Sequence, residues 1–465
     1  MATVSEIIGL GIGEETKGAW VEFLSKLTQA GYVWRKGGPQ SGHHLIIDNY
    51  TAAMLSHFGA GVFQGIPTYV DMPIIPVELF IEAQILEGLG IPNPLSLMAI
   101  NASCIVATPY HQAISRLQET LREHKKGTIG LGIGEAIKDA LKYPELKIIA
   151  HDLKLSQAEL EEKVERVRLH YLGEAKSQVK NIESLSEESR LEVELLENSD
   201  LVTKIAQSYC LLATLVAIRY ENFLDEVLSE NSVIETSHGA QLHPRFGYLP
   251  HVTQVDPVGQ DAIKRLKNHN FRGTLNRFGV FRSYSTRFGA GPLVAFDESV
   301  TQEEVEVHHQ DDPWLGRFRK GHLDLVGLSY GIKICGEPSL TGLMISYLDS
   351  LEGKDSWRVC YAYRYDGDKA DLEKYFEVKG GLITAIKLHP DDGSEGHLDH
   401  QRRLTELLWN CSPIFHTIFS EGGLSLEDTF IRFVEKYLGL PVVAVAHGPR
   451  LSDRKIRPGY ENLFV

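Results

Sequence analysis

Four glycine-rich segments interrupt this chain of 465 residues, at positions 9–18, 37–43, 127–134 and 287–291. The first, GLGIGEETKG, follows a short apolar run and precedes apolar side chains at helical spacing, namely Trp20, Phe23, Leu24 and Leu27. A strand, a glycine turn and a helix in that order open many α/β proteins and place a ligand phosphate at the helix N-terminus. Because glycine lets backbone N–H groups approach an anion, the four segments predict anionic ligands. An ordinary tight turn is the alternative for each of them.

The first glycine segment departs from the usual P-loop. Its lysine, Lys17, is not followed by Ser or Thr, and its glycine spacing differs. It also carries two carboxylates, Glu14 and Glu15, where an anion is expected to bind. Taken alone, they are favourable acidic charges in the first turn of a helix.

Apolar segments with the length of buried strands alternate with helical patterns along most of the chain. This alternation predicts an α/β fold with a large mixed, mostly parallel central β-sheet flanked by helices. Residues 155–232 are helical in pattern and rich in charge, which predicts a helical insertion. We therefore expect one domain over residues 1–465 that contains a helical subdomain at 155–232.

Composition excludes several classes of protein. The net charge of −15 argues against a nucleic-acid partner. No apolar run reaches about 18 residues, and the N-terminus lacks the pattern of a signal peptide, so we expect a cytoplasmic protein without a membrane span. The scattered cysteines predict reduced thiols rather than disulfides or a zinc site; they are Cys104, Cys210, Cys335, Cys360 and Cys411.

The order of motifs resembles the adenylosuccinate synthetase family, whose fold is related to the P-loop NTPases. IGEETKGAW stands where the family has W-G-D-E-G-K-G-K, and GGPQSGHH where it has G-G-x-N-A-G-H-T. YSTRFGAGPL matches T-R-x-G-A-G-P-F closely, and SYLD stands for T-K-L-D. Further matches follow in order: TPYHQAISRLQE, GTIGLGIGEA, GAQ, LPHVT, LGRFRKGHLDLVGLSYGIKICG, VCYAYRYDG and AHGP. The resemblance covers residues 9 to 450.

This resemblance implies a ligase of purine (AMP) biosynthesis that uses GTP as co-substrate and Mg²⁺ as cofactor. GTP would phosphorylate the 6-oxygen of IMP, and aspartate would displace that phosphate to give adenylosuccinate, GDP and phosphate. The resemblance also implies a homodimer. Two alternatives stay open: a paralogous GTP-dependent ligase with another oxo-heterocycle or amino acid, and a non-catalytic nucleotide-binding protein.

The resemblance assigns the chemistry to three residues, which are Glu14, His43 and Gln241. Glu14 would remove the proton from N1 of the purine, and His43 would stabilise charge on the transferring phosphoryl group. Glu14 and the Gly42 carbonyl would also ligate the metal. Asp349 would read the guanine edge, because a carboxylate accepts from N1–H and the 2-amino group. The predicted GTP-binding set is Gly13, Glu15, Lys17, Gly18, Gly42, His44, Tyr347, Asp349, Gly448 and Pro449.

The remaining predicted residues belong to the acceptor nucleotide and the amino acid. Arg317 and Arg319 would bind the carboxylates of the amino acid, since a guanidinium binds a carboxylate bidentately. The predicted nucleotide-substrate set is Gln40, Thr128, Ile129, Tyr143, Gln241 and Thr253.

Several of these positions depart from the family. Glu14 replaces a shorter aspartate and Tyr347 a lysine, while Gln40, Ile129 and Tyr143 stand for an asparagine, a threonine and an interface arginine. The predicted 5′-phosphate pocket has therefore lost polar groups, and this change keeps the paralogous ligase open as an interpretation.

Overall fold

A computed structural model of the protein describes residues 1–47, 52–122, 129–179, 185–303, 316–368 and 370–464. The apolar runs form these strands: β1 (Thr3–Gly9), β2 (Tyr32–Arg35), β3 (His43–Ile46), β4 (Ala52–Leu55), β5 (Thr68–Val70), β6 (Met98–Asn101), β7 (Ala217–Arg219), β8 (Ser232–Gly239), β9 (Thr274–Arg282), β10 (Tyr284–Phe288), β11 (Phe318–Asp324), β12 (Gly342–Ser346), β13 (Ser356–Tyr365), β14 (Phe376–Lys379), β15 (Leu382–Ile386), β16 (Cys411–Phe419), β17 (Val442–Ala446) and β18 (Arg454–Ile456).

The helices are bounded by the glycine, proline and Ser/Thr positions that punctuate the sequence. Ser156, for example, caps its helix by accepting from the N–H of Glu159. The helices are α1 (Lys17–Leu27), α2 (Pro76–Gly88), α3 (Pro109–Leu121), α4 (Ile133–Lys142), α5 (Gln157–Gln178), α6 (Glu187–Glu197), α7 (Asp200–Leu215), α8 (Phe223–Ser229), α9 (Gln260–Asn268), α10 (Glu298–Glu303), α11 (Leu325–Cys335), α12 (Leu372–Tyr375), α13 (Glu395–Trp409) and α14 (Leu426–Leu438).

Ten strands form the central sheet, in the order β18-β17-β12-β9-β1-β8-β2-β5-β6-β7. Neighbouring strands are parallel throughout, except that β18 runs antiparallel to β17. Along β1, Ile7 and Ile8 are both fully buried and belong to different apolar clusters on the two faces of the sheet. The predicted fold class, a large mostly parallel sheet flanked by helices, is therefore confirmed.

A second sheet has the order β10-β11-β13-β15-β14, with β16 paired to β13, and β3 and β4 form a separate hairpin. Strand β10 begins two residues after β9 ends, so the chain passes directly from the central sheet into the second sheet. This short connection places Arg282 at the end of one sheet and Arg287 within the other.

Residues 155–232 contain the helices α5, α6 and α7; α5 packs on both of the others, and α3 packs on α5 and α6. The same segment also contributes α8 and the edge strand β7, which pairs with β6 in the central sheet. The division of the chain into one domain with a helical subdomain stays a prediction. Among the described residues, no helix combines the length and apolarity that a membrane crossing requires.

Candidate functional site

The carboxyl ends of six adjacent strands, β17, β12, β9, β1, β8 and β2, meet along one edge of the central sheet. Ligands of open α/β sheets bind at this edge. Most of the predicted site residues follow one of these strands, although they range in sequence from Gly13 to Pro449. The parallel topology therefore brings the predicted GTP-binding and catalytic segments to one place.

The loop between β1 and α1 is closed around its own carboxylate. The backbone N–H of Gly13 donates to Oε1 of Glu15 at 2.8 Å, and side chains at Gly9 or Gly11 would collide with the Glu15 oxygens. Lys17 donates from Nζ to the Gly13 carbonyl at 2.9 Å and lies 3.5 Å from Oε2 of Glu15. Glu15 thus stabilises the loop from within, and Glu14 beside it is partly exposed.

The amino end of α1 begins without a side-chain cap among the described residues. Thr16 precedes the helix in a left-handed conformation with a φ of 62°. Its hydroxyl lies 2.6 Å from the Ser346 hydroxyl, to which Trp20 Nε1 also donates at 2.8 Å. These contacts join the end of β12 to the start of α1, and the first N–H groups of the helix suit an anionic ligand.

His43 joins the second glycine segment to the first. Its side chain packs against Gly18, where an added Cβ would lie 2.6 Å from the histidine Cβ. Its Nδ1 donates to the Glu235 carboxylate, which also accepts from the N–H of Ala60 at 2.9 Å. Burial and then the nearby Arg35 lower the pKa of His43 to about 4, against the opposing effect of Glu235. The imidazole is therefore neutral at pH 7, with its proton on Nδ1.

The buried guanidinium of Arg35 donates hydrogen bonds to this second segment and to its surroundings. It donates to the backbone carbonyls of Ser41 at 2.9 Å and Ser56 at 3.2 Å, and to the Ser237 hydroxyl at 3.2 Å. Burial raises the pKa of Glu235, but Arg35 and His43 outweigh that effect and hold it below the ordinary value. The result is a buried Arg35–Glu235–His43 group at the ends of β2 and β8.

Gln241 lies directly beneath the first loop. Its backbone N–H donates to Gly11 O at 3.0 Å, and its side-chain amide donates to Leu10 O at 3.2 Å. It lines a cavity together with Arg282 and Asp324. Burial raises the pKa of Asp324 to about 6, and its carboxyl accepts from the Tyr363 hydroxyl at 2.5 Å. Thr253 is buried nearby, with its N–H bonded to Leu242 O at 2.9 Å.

The predicted base-binding residues follow β12 and β17, which are neighbours in the sheet. Tyr347 has a left-handed backbone with a φ of 61°, and Asp349 lies in the turn that follows it. The guanidinium of Arg282 lies 4.4 Å from the Tyr347 ring centroid. On the adjacent strand end, Gly448 is half-buried and Pro449 is exposed.

The predicted amino-acid-binding arginines are already engaged within the chain. Arg317 pairs with Glu298 at 2.5 Å, and both side chains are about half exposed. Arg319 donates to the carbonyls of Gly289 at 2.5 Å and Gly291 at 2.8 Å. It lies opposite Arg287 on the neighbouring strand, and burial lowers the pKa of Arg287 to about 9.

The remaining predicted residues lie beside α3, α4 and α5 or in the second glycine segment. Tyr143 ends α4 and lies 5.1 Å from His170 of α5, ring to ring, and it is partly exposed. Ile129 precedes a loop in which Gly132 packs against the backbone of His111, in the first turn of α3. Gln40 folds over Gly38 in the second segment. His44 and Gly42 are exposed at the β3–β4 hairpin. Thr128 lies outside the described residues.

Three residues at the site were absent from the sequence-based set, namely Glu235, His238 and Arg282. Each stands in or directly after an apolar strand of the central sheet, and that position is the signal that could have found them. A charged or imidazole side chain near the carboxyl end of a parallel strand faces the ligand edge.

Comparison with known proteins agrees with this arrangement. The family model described as adenylosuccinate synthetase matches residues 6–383. The adenylosuccinate synthetase of Marinomonas sp. (strain MWYL1) is 27% identical over 457 residues, covering 96% of each chain. That of Herminiimonas arsenicoxydans is 28% identical over 469 residues, covering 97% of each chain.

Two solved structures share the fold. The fully ligated adenylosuccinate synthetase from Plasmodium falciparum superposes with a TM-score of 0.74 at 21% identity, over 98% of this chain and 99% of that one. The succinoaminodeoxyadenylate synthetase of cyanophage S-2L, bound to dGMP and to dATP as an energy donor, gives a TM-score of 0.58 at 13% identity, over 100% of this chain and 99% of that one. Identities this low establish likeness of fold.

Proposed function

The chain belongs to the adenylosuccinate synthetase family, and from that premise we propose that it joins L-aspartate to IMP or a related 6-oxopurine nucleotide. The observation that carries the proposal is the meeting of Glu14, Lys17 and His43 at one sheet edge. Lys17 and His43 both contact the first glycine loop, one through the Gly13 carbonyl and one through Gly18.

The first step is phosphoryl transfer. Glu14 takes the proton from N1 of the purine, so that the 6-oxygen becomes nucleophilic and attacks the γ-phosphorus of GTP. The new O–P bond forms as the bond to the β–γ bridging oxygen breaks, and GDP leaves with that electron pair. Lys17 and the amino end of α1 offset the phosphate charge.

The second step is displacement at carbon 6. The amine of aspartate attacks this carbon, a C–N bond forms, and the C–O bond to phosphate breaks. Arg317 and Arg319 bind the aspartate carboxylates when these displace Glu298 and the Gly289 and Gly291 carbonyls. Gln241 lines a cavity beside Gly11 of the first glycine loop, and we assign its side-chain amide to binding the purine.

Mg²⁺ is the cofactor that this chemistry requires, and the donor set fits it. Glu14 offers a carboxylate oxygen and Gly42 a backbone carbonyl, and Mg²⁺ takes one or two protein oxygens together with substrate phosphates. When bound, the ion would neutralise charge on the transferring phosphates.

A second candidate is a ligase of the same chemistry with another acceptor nucleotide. The observation that favours it is the apolar Ile129 at the predicted 5′-phosphate loop, together with Tyr143 turned towards His170. Because a phage relative was solved with dGMP, dGMP belongs among the acceptors to test.

We also propose a homodimer, with a face of α2 in the interface. Val77, Ile81 and Ile85 follow one another at four-residue spacing and are exposed. Light scattering at micromolar concentration should give twice the mass of the chain. Ile81→Asp should shift the protein towards a monomer, whereas Phe419→Asp on β16 should not. A monomeric unmodified protein would remove this part of the proposal.

The function is tested by phosphate release from GTP with Mg²⁺ over a matrix of acceptors and amines. IMP, dIMP, GMP, dGMP and inosine form one axis, and aspartate, other amino acids and no amine form the other. Release that requires IMP and aspartate, with adenylosuccinate in the product, supports the first candidate. Release that requires another pair supports the second, and no release with any pair contradicts both.

A further inference from the structure

His238 has a strained backbone at the centre of the site. Its φ of 61° is left-handed, and it lies at the irregularity where the pairing of β1 with β8 shifts register. Its N–H donates to the Ser41 hydroxyl at 3.2 Å, and Gly13 packs on its Cα. A residue other than glycine holds such a conformation only where the surroundings fix it, typically at functional sites.

The surroundings of the imidazole are mostly cationic. Lys17 and Arg35 add positive charge to these surroundings and Glu14 adds negative charge, while His43 is neutral at pH 7. The Nε2 atoms of both His238 and His43 are closed off from solvent and have no hydrogen-bond partner among the described residues. Buried polar atoms are normally bonded, so the unpartnered Nε2 of His238, in the positive field of Lys17 and Arg35, indicates an anionic ligand with an acceptor oxygen.

His43 and His238 differ in which ring nitrogen can carry the proton of the neutral imidazole. Nδ1 of His43 holds its proton against the Glu235 carboxylate, so its neutral form has a lone pair on Nε2. His238 has no carboxylate bonded to Nδ1 among the described residues, so its neutral form can carry the proton on Nε2. Burial, followed by Lys17, Arg35 and His43, lowers the pKa of His238 to about 3 and keeps it neutral.

We propose that His238 is a phosphoryl-contacting catalytic residue, whose neutral Nε2–H donates to an oxygen of the transferring γ-phosphoryl group. The inference rests on the proposed phosphoryl transfer and deepens it. As the O–P bond to the 6-oxygen forms and the bond to GDP breaks, charge spreads over three equatorial oxygens. His238 stabilises one of them by a hydrogen bond and keeps its proton, so no further proton acceptor is needed.

Two variants of matched side-chain shape test whether His238 acts as a hydrogen-bond donor. Leu and Gln have the same unbranched Cβ and meet the same left-handed backbone, but only Gln has a neutral N–H donor. His238→Leu should lower kcat about 10²- to 10³-fold, as removal of one such donor does, with the KM for GTP within about threefold. His238→Gln should retain kcat within about tenfold. Equal losses in both variants, or wild-type kcat in His238→Leu, would overturn the proposal.

A measurement that does not require catalysis distinguishes failure of this inference from failure of the proposed function. Nitrogen NMR of ¹⁵N-histidine-labelled protein at pH 7 should show a neutral His238 with its proton on Nε2 and a neutral His43 with its proton on Nδ1. The His238 Nε2–H signal should shift when a non-hydrolysable GTP analogue binds with Mg²⁺. A proton on Nδ1 of His238, or an unmoved signal with the analogue bound, contradicts the proposal even if every acceptor fails in the activity matrix.

Discussion

The guanidinium of Arg282 lies 4.4 Å from the centroid of the Tyr347 ring. Arg282 is buried, and its Nε donates to the backbone carbonyl of Glu14. Tyr347 stands where the family motif has a lysine, so the sequence alone indicates a lost positive charge. In the structure, Arg282 of β9 places its guanidinium against the Tyr347 ring and also bonds to the loop that carries Glu14.

This stack predicts a role for Tyr347 as an aromatic platform for the nucleobase. Tyr347→Leu should raise the KM for GTP by about fivefold or more, because stacking of a base on an aromatic ring is worth roughly 1–3 kcal/mol. Tyr347→Phe keeps the ring and should change the KM by less than about twofold. Steady-state kinetics with saturating acceptor measures both, and equal KM values in the Leu and Phe variants would contradict the platform.

The two loop carboxylates should respond differently to neutralisation. Glu14→Gln should lower turnover by about 10²- to 10⁴-fold while GTP binding, measured by calorimetry, stays largely intact. Glu15→Gln is the matched control: it weakens the internal contacts to Gly13 and Lys17 and should lower the free energy of unfolding by about 1–3 kcal/mol. Full activity in Glu14→Gln would exclude Glu14 as the base.

The order of glycine loops and apolar strands predicted a mostly parallel sheet with anion-binding loops, and in the structure the first two of these loops follow β1 and β2. This works because parallel strands place their carboxyl ends together, so that Glu14, Gln241 and Asp349 meet whatever their separation in sequence. The motif order also predicts the family, which the match over residues 6–383 confirms.

The partners of these residues were not predictable in the same way. His43 pairs with Glu235 across 192 residues, and no local spacing marks that contact. Glu15 was predicted to bind GTP, yet its carboxylate lies inside its own loop, a placement set by the left-handed turn at Thr16. Both depend on tertiary geometry rather than on pattern.

Asp349 should set the preference between guanine and adenine nucleotides. Asp349→Asn replaces one acceptor oxygen with an amide donor, which opposes N1–H of guanine. We expect the ratio of kcat/KM for GTP over ATP to fall by about tenfold or more, since a mismatched hydrogen bond costs roughly 1–3 kcal/mol. ITP, which lacks the 2-amino group, should be affected less than GTP. An unchanged GTP-to-ATP ratio would count against this role.

Glu298 should compete with the amino-acid substrate for Arg317. Glu298→Gln frees the guanidinium and should lower the KM for aspartate by about 1.5- to 5-fold, since a half-exposed pair is worth at most about 1 kcal/mol. Arg317→Gln should raise that KM instead. The KM for GTP serves as the internal control and should not move in either variant. A higher KM for aspartate in Glu298→Gln would show that Glu298 assists binding.

The buried histidines should make folding stability depend on pH. The pKa values of His43 and His238, about 4 and about 3, lie below the ordinary 6.5, so between pH 6.5 and 4 the unfolded chain binds protons that the folded protein does not. The free energy of unfolding must therefore fall as pH falls through this window. Asp324, with a raised pKa of about 6, acts with the opposite sign, so variants are compared with the unmodified protein.

His238→Gln should reduce the slope of the free energy of unfolding against pH by up to about 1.4 kcal/mol per pH unit, measured by urea unfolding. An unchanged slope in His238→Gln would show that His238 takes up a proton as readily in the folded protein as in the unfolded chain.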